Sequence, residues 1–275
     1  MKIGVFAKTF PGTAPDRVLA SCQEAGFQSA QYNMACSGLG SLPESISVED
    51  AKAVAGASAA AGVAIAAISA TYNMTDPNPK RRMAGRKSFA AIASRAKLMG
   101  TWLLTVCSGS LDPDDQWRRH RANDTPEAWA DMCREFEILL ENAEDHDILI
   151  GVEPEHANIV SSAVKAGHLL KVFSGSRIRI VLDPANLLEH VVADRQHAIL
   201  DEAMDLLGSA VALVHVKDRD AGGRVVAAGK GIVNWRQYLC GLKSIGFDGH
   251  LVAHGMSAAE APQVAVYLKS ELERL

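Results

Sequence analysis

The segments "PEAWADMCREFEILLENAED" (126–145) and "ILIGVE" (148–153) follow each other and form the unit that decides the fold. In the first segment, apolar residues recur at steps of three and four, which predicts an amphipathic helix. The second is a continuous apolar run that ends in Glu153. Such a run is typical of a strand in a parallel sheet that is covered on both faces.

The same alternation of short apolar strands and longer helical patterns extends along the whole chain. Eight strand-and-helix units in 275 residues predict an α/β fold, a (β/α)8 TIM barrel that forms a single domain over 1–275. An open doubly wound sheet is the alternative, but the turn after the first strand, "KTFPGTAPD" (8–16), has no GxGxxG motif. The other seven strand candidates are "KIGVFA" from 2, "FQSAQY" from 27, "VAIAAIS" from 63, "WLLTVC" from 102, "IRIVLD" from 178, "VALVHV" from 211 and "HLVAH" from 250.

Composition excludes several classes of function. The chain is 48% hydrophobic and 22% charged with a net charge of −4, and without a basic stripe we expect no nucleic-acid partner. The five cysteines include no CxxC pair, which indicates reduced thiols and a cytoplasmic protein. The N-terminus lacks a secretory h-region, and the alanine-rich segment 53–70 lacks the large apolar residues that favour insertion, so we expect no membrane association.

Polar residues gather where four consecutive predicted strands end. In a TIM barrel the carboxyl ends of the strands form the active face, and strands five to eight place Glu153, Asp183, His215 and His254 there. A mixed set of carboxylates and imidazoles suits a divalent metal ion with positions left open for substrate. Each residue also has an ordinary structural explanation: Asp183 precedes Pro184 and could cap a helix, and a single histidine in a strand is more often a hydrogen-bonded core residue.

The segments "GVEPEHAN", "LDPANLL", "HVKDRD" and "AAGKGIVNWRQYLCGLKSIGFDGHLV" resemble the sugar phosphate isomerase/epimerase family, also called the xylose isomerase-like barrels. The resemblance covers the second half of the chain through motifs and the first half through strand positions. It implies a metal site of Glu, Asp, His and Glu, of which the first three fall on Glu153, Asp183 and His215. At the fourth position this chain has His254, which shifts metal preference from Mn²⁺ or Mg²⁺ toward Zn²⁺, Co²⁺ or Fe²⁺.

The resemblance also implies an activity: isomerisation or epimerisation of a small sugar, keto-sugar or polyol through an ene-diolate. Glu153 would be one base. His254 would either leave the metal to act as the second acid–base group, or bind the metal and leave a one-base reaction, because a ligated nitrogen cannot also carry a proton. A metal-dependent lyase acting on a sugar-derived acid (a dehydratase or decarboxylase) and a non-catalytic barrel subunit are the alternatives. A DNA endonuclease of the same architecture is disfavoured, since it would need further metal ligands and basic loops.

Further residues are predicted to surround the substrate. Asp218, in the "HxKD" pattern, is expected to hold the free ring nitrogen of His215 or a neighbouring lysine. The long charged segment 108–124 is typical of a binding loop, in which Arg118, Arg119 and Arg121 could meet an anionic substrate, or it is simply a solvated loop. The resemblance implies homodimers or homotetramers. The residues predicted to bind substrate are Asn186, His156, Lys217, Tyr72 and Trp117.

Overall fold

A computed structural model describes residues 1–189, 191 and 195–275. Within these residues eight parallel strands close into a barrel in the order β1-β10-β7-β6-β5-β4-β3-β2. The predicted TIM barrel is therefore confirmed. The barrel strands are β1 (Lys2–Phe6), β2 (Ser29–Tyr32), β3 (Ala64–Ser69), β4 (Leu103–Cys107), β5 (Leu149–Glu153), β6 (Ile178–Leu182), β7 (Val211–Val216) and β10 (His250–Ala253).

Helices follow the strands and cover the outside of the barrel. The helix α4 (Pro126–His146) shows how the sequence determines where a helix begins and ends. At its start the Thr125 hydroxyl accepts a hydrogen bond from the Ala128 amide, and Pro126 occupies the first turn. At its end Asp147 adopts a left-handed conformation with a φ of 49°. The helices are α1 (Pro15–Glu24), α2 (Val48–Ala61), α3 (Pro79–Ala96), α4 (Pro126–His146), α5 (Ala163–Val172), α6 (Pro184–Leu187), α7 (Gln196–Leu207), α8 (Trp235–Ser244) and α9 (Ala261–Glu273).

The alanine-rich segment 53–70 forms parts of two elements. It begins inside α2, turns at Gly62 with a φ of 64°, and continues as β3. Among the described residues, no helix is both long enough and apolar enough to cross a bilayer.

An apolar layer fills the lower half of the barrel interior. It consists of five buried side chains from five strands: Ala67, Leu103, Val181, Leu213 and Val252. Because successive side chains of a strand point to opposite faces, the residues two positions further along these strands also face inward. These include Asp183, His215 and His254. The apolar layer thus forms the floor of the site.

One insertion departs from the simple repeat. After β7 the chain forms a short antiparallel hairpin of β8 (Asp218–Arg219) and β9 (Val225–Val226). The buried Asp218 carboxylate accepts hydrogen bonds from the amides of Gly229 and Val233 and from the indole N–H of Trp235. Asp218 therefore fixes the segment that leads into α8. It was predicted to hold His215 or a lysine, but its oxygens accept hydrogen bonds from these three N–H groups and from the Arg219 amide instead.

Candidate metal centre and active site

Four side chains meet at the carboxyl end of the barrel. Glu153, Asp183, His215 and His254 each offer one ligand atom, and these atoms all lie within 4.8 Å of one another. They come from β5, β6, β7 and β10, which are neighbours in the barrel. Glu153, Asp183 and His215 are buried, and the His254 side chain is 21% exposed. Residues separated by up to 101 positions in sequence, from Glu153 to His254, therefore surround one point.

The donor atoms of this cluster fit a metal ion. His215 Nδ1 lies 3.1 Å from Glu153 Oε1, yet this buried nitrogen has no hydrogen-bond partner of good geometry among the described residues. A buried nitrogen without a partner is costly unless something else satisfies it. A cation bound by both side chains would satisfy it, and the mixed oxygen and nitrogen set is one that divalent transition metals accept.

The two carboxylate oxygens of Asp183 make different contacts. Its Oδ1 accepts a hydrogen bond of 2.9 Å from the Ala185 amide and so caps α6. Its Oδ2 lies 3.1 Å from His254 Nε2 and 3.2 Å from Lys217 Nζ. The structural explanation and the metal explanation of Asp183 are thus compatible, because they use different oxygens.

The buried acidic and basic groups stabilise each other's charged forms. Burial alone would raise the pKa of Asp183, but Lys217 and His254 lower it below its usual value. Burial acts to lower the pKa of Lys217, and Asp183, Glu153 and Glu155 raise it instead. Asp183 is therefore a carboxylate and Lys217 an ammonium at neutral pH. Burial lowers the pKa of His254, which favours the neutral imidazole that a metal requires.

Two side chains hold the ligands from outside. Asn186 Nδ2 donates a hydrogen bond of 2.9 Å to Glu153 Oε1, so this residue, predicted to touch substrate, contacts Glu153. Gln31 Oε1 lies 2.7 Å from His215 Nε2. Sequence reasoning missed Gln31, although its alternation with Tyr32 in a predicted strand indicates that one of the two faces inward.

A cavity of about 700 Å³ opens above the ligands, which is in the size range of small-molecule sites. Most of the residues that line it are polar, and they include the predicted residues Lys217 and Trp117. The Trp117 side chain is half exposed and belongs to the long segment after β4. Sequence reasoning did not identify several other polar residues of the cavity wall, among them Lys8, Thr105, Glu189 and Arg219.

Glu155 also lines the cavity. Its carboxylate lies 4.0 Å from Lys217 Nζ. Burial, together with the negative charges of Glu153 and Asp183, raises the pKa of Glu155 to about 7, although Lys217 opposes the shift. The cavity therefore contains a carboxyl group that is partly protonated near neutral pH.

Tyr72 and His156 are not among the described residues that line the cavity. The Tyr72 hydroxyl donates a hydrogen bond of 2.6 Å to Glu135 of α4, in the layer outside the barrel. The prediction that Tyr72 binds substrate is therefore not supported by its position. The backbone carbonyl of His156 accepts a hydrogen bond from Arg119.

Two of the arginines of segment 108–124 already have carboxylate partners. Arg118 forms a two-pronged pair with Asp112, with distances of 2.6 and 2.7 Å. Arg119 pairs with Asp124. These pairs order the loop next to Trp117, so the positive charges of Arg118 and Arg119 are not free to meet an anionic substrate.

Solved structures of sugar epimerases have the same fold. The chain is 17% identical to 3-keto-D-glucoside 4-epimerase YcjR from E. coli, with a TM-score of 0.75 over 98% of this chain and 99% of that one. It is 15% identical to an L-ribulose 3-epimerase, with a TM-score of 0.77 over 99% of this chain and 95% of that one. At these identities the likeness establishes the fold alone.

A third similar structure contains a metal. The IOLI protein with a bound zinc atom is 17% identical, with a TM-score of 0.71 over 98% of this chain and 97% of that one. No curated protein sequence matches the chain. The model of one family, the xylose isomerase-like TIM barrels, matches residues 19–270. Since this match spans nearly the whole barrel, the chain belongs to the xylose isomerase-like TIM barrel family.

Proposed function

We propose that the protein is a divalent-metal-dependent isomerase or epimerase of a small sugar, keto-sugar or polyol. The observation that carries the proposal is the meeting of Glu153, Asp183, His215 and His254 within 4.8 Å at the floor of a polar cavity. The names of the similar structures, a keto-glucoside epimerase and a ribulose epimerase, support this substrate class.

These four residues would hold the ion. Two imidazoles beside two carboxylates favour Zn²⁺ or Co²⁺ over Mn²⁺ and Mg²⁺, whose usual ligands are oxygens. When bound, a divalent ion would polarise the substrate carbonyl and stabilise the negative charge that develops on its oxygen.

Glu153 would take the proton from the carbon beside the carbonyl. Burial raises its pKa, but attraction to His215 and Lys217 outweighs burial and lowers it, so the carboxylate is available as a base. The Asn186 amide holds Oε1 in place at 2.9 Å. Oε2 carries no N–H or hydroxyl donor among the described residues and contacts only the Cys107 thiol, at 3.9 Å. We therefore assign proton abstraction to Oε2.

His254 would return a proton. It follows β10 and Glu153 ends β5, the two outer strands of the four neighbouring strands, and its side chain is the most exposed of the four. Transient release of Nε2 from Asp183 would let the ring take up a proton from solvent and give it to the other face of the substrate, and Glu153 would release the proton it took to solvent. Lys217, which lines the cavity as an ammonium, would donate hydrogen bonds to a substrate oxygen and not take part in proton transfer.

A metal-dependent lyase is the second candidate, and His254 is the observation that favours it. If His254 stays on the metal, Glu153 is the one base of the cluster, and elimination of water or carbon dioxide needs no second base. The mass of the product distinguishes the isomerase from the lyase.

We expect turnover in heavy water to place one solvent deuterium on the carbon skeleton of the product. The metal-loaded protein would be incubated with ketopentoses, ketohexoses and a 3-keto-glucoside, and the products analysed by mass spectrometry and NMR. An isomer one mass unit heavier supports proton transfer through an ene-diolate. A product lighter by water or carbon dioxide would show the lyase, and no conversion of any substrate by the metal-loaded protein would contradict both.

A further inference from the structure

Gln31 connects the metal ligand His215 to the far side of the barrel. It lies on β2, three strands away from β7 in the order of the closed sheet, and is 4% exposed. Its side chain crosses the barrel interior, so that Oε1 lies 2.7 Å from His215 Nε2.

The Gln31 amide is held at both ends. Its Nε2 donates a hydrogen bond of 3.1 Å to the Thr105 hydroxyl of β4, and both residues are buried. With the amide nitrogen directed to Thr105, the amide oxygen faces the imidazole. A carbonyl oxygen can only accept a hydrogen bond, so the hydrogen between the two side chains belongs to His215 Nε2.

This contact decides the protonation of the other ring nitrogen. A neutral imidazole carries one hydrogen, so a hydrogen on Nε2 leaves a lone pair on Nδ1. Nδ1 is the buried nitrogen that has no hydrogen-bond partner among the described residues and lies 3.1 Å from Glu153 Oε1. The lone pair therefore points to the place where a cation would be bound.

We propose that Gln31 is a positioning residue that fixes His215 as the Nε2-protonated tautomer and so reserves Nδ1 for the metal. The inference rests on the metal site of the proposed function. It concerns the hydrogen-bond partner of His215 Nε2, which can be measured separately from metal affinity. Hydrogen-bond partners of this kind fix the ring orientation and raise the basicity of a ligating imidazole.

The tautomer can be measured directly in the metal-free protein. Long-range ¹H–¹⁵N correlation spectra distinguish a protonated ring nitrogen from one with a lone pair, and the His215 signals can be assigned with the His215→Asn variant. We expect Nε2 to carry a hydrogen, as the contact with Gln31 Oε1 requires. An Nε2 without a hydrogen would overturn the inference, since it would mean that the Gln31 amide is turned with its nitrogen toward the ring.

Two variants of Gln31 distinguish the effect of its hydrogen-bond acceptor from the effect of its side-chain volume. Gln31→Met removes the acceptor at similar volume, and we expect mixed tautomers and an affinity for Zn²⁺ lower by about 10- to 100-fold, measured by calorimetric titration. Gln31→Glu keeps an acceptor, and we expect the Nε2-protonated tautomer and an affinity no weaker than that of the parent protein. A Gln31→Met variant that binds Zn²⁺ as tightly as the parent would contradict the inference.

The outcomes also separate this inference from the proposed function. If the parent protein binds no Zn²⁺, the metal-dependent function fails, while the tautomer spectrum still tests the role of Gln31. If the parent binds Zn²⁺ but His215 Nε2 carries no hydrogen, the inference fails and the metal site stands. Thermal unfolding of the metal-free variants shows whether a lost affinity reflects a lost fold.

Discussion

Replacement of Glu153 by glutamine is expected to lower metal-supported turnover by at least about 1,000-fold, since loss of a general base costs about 100- to 10,000-fold and a ligand is lost as well. Glutamine has the shape of glutamate and its amide oxygen can still accept the Asn186 hydrogen bond. The fold should therefore persist, with a similar thermal midpoint in the metal-free state. The measurement is the initial rate on the substrate identified by the deuterium experiment.

A matched control makes this result specific. Glu141→Gln is the same chemical change at an exposed position of α4, outside the cavity, and should leave turnover unchanged. Glu153→Gln protein that is folded and retains more than a tenth of the parent rate would show that Glu153 is not the base.

Asp183→Asn is expected to remove metal binding and to destabilise the metal-free protein. Substitution of partners outside a metal site weakens binding by about 10- to 100-fold, so loss of a direct ligand should cost more than about 100-fold. Asp183 Oδ2 also lies 3.2 Å from the buried Lys217 ammonium, and breaking a buried ion pair costs about 3–5 kcal/mol. Calorimetric titration gives the affinity, and urea unfolding gives the stability.

A second substitution separates the two effects. Lys217→Met removes the cation that Asp183→Asn leaves without its partner. The double variant should therefore recover part of the lost stability and none of the metal affinity. Recovery of metal binding in the double variant, or full binding by Asp183→Asn alone, would mean that Asp183 is not a ligand.

The barrel and the meeting of four polar side chains at its carboxyl end could be predicted because both depend on local periodicity. Continuous apolar strands alternating with amphipathic helices define the fold. Once the strands are placed, their carboxyl ends bring Glu153, Asp183, His215 and His254 to one face, whatever lies between them. The resemblance to a known family added the expectation that these positions bind a metal.

The partners of these residues could not be predicted in the same way, because they depend on distances across the closed barrel. Gln31 reaches His215 over 184 positions of sequence, and no local pattern indicates that pairing. The role of Asp218 depends on the hairpin β8–β9, which the alternation of strands and helices did not indicate. Tyr72 follows a strand, as an active-site residue would, yet its ring packs outward, where a Cβ on Gly85 would lie 2.1 Å from it.

Metal binding by the chelator-stripped protein tests the central claim most directly. Titration with Co²⁺ followed by visible absorption and X-ray absorption would give the number of ions per chain and the ligand atoms of each. We predict one ion per chain, bound by imidazole nitrogen and carboxylate oxygen, and lost on Asp183→Asn. A protein that binds no ion, or whose bound ion keeps the same spectrum when Asp183 or His215 is replaced, would contradict this account.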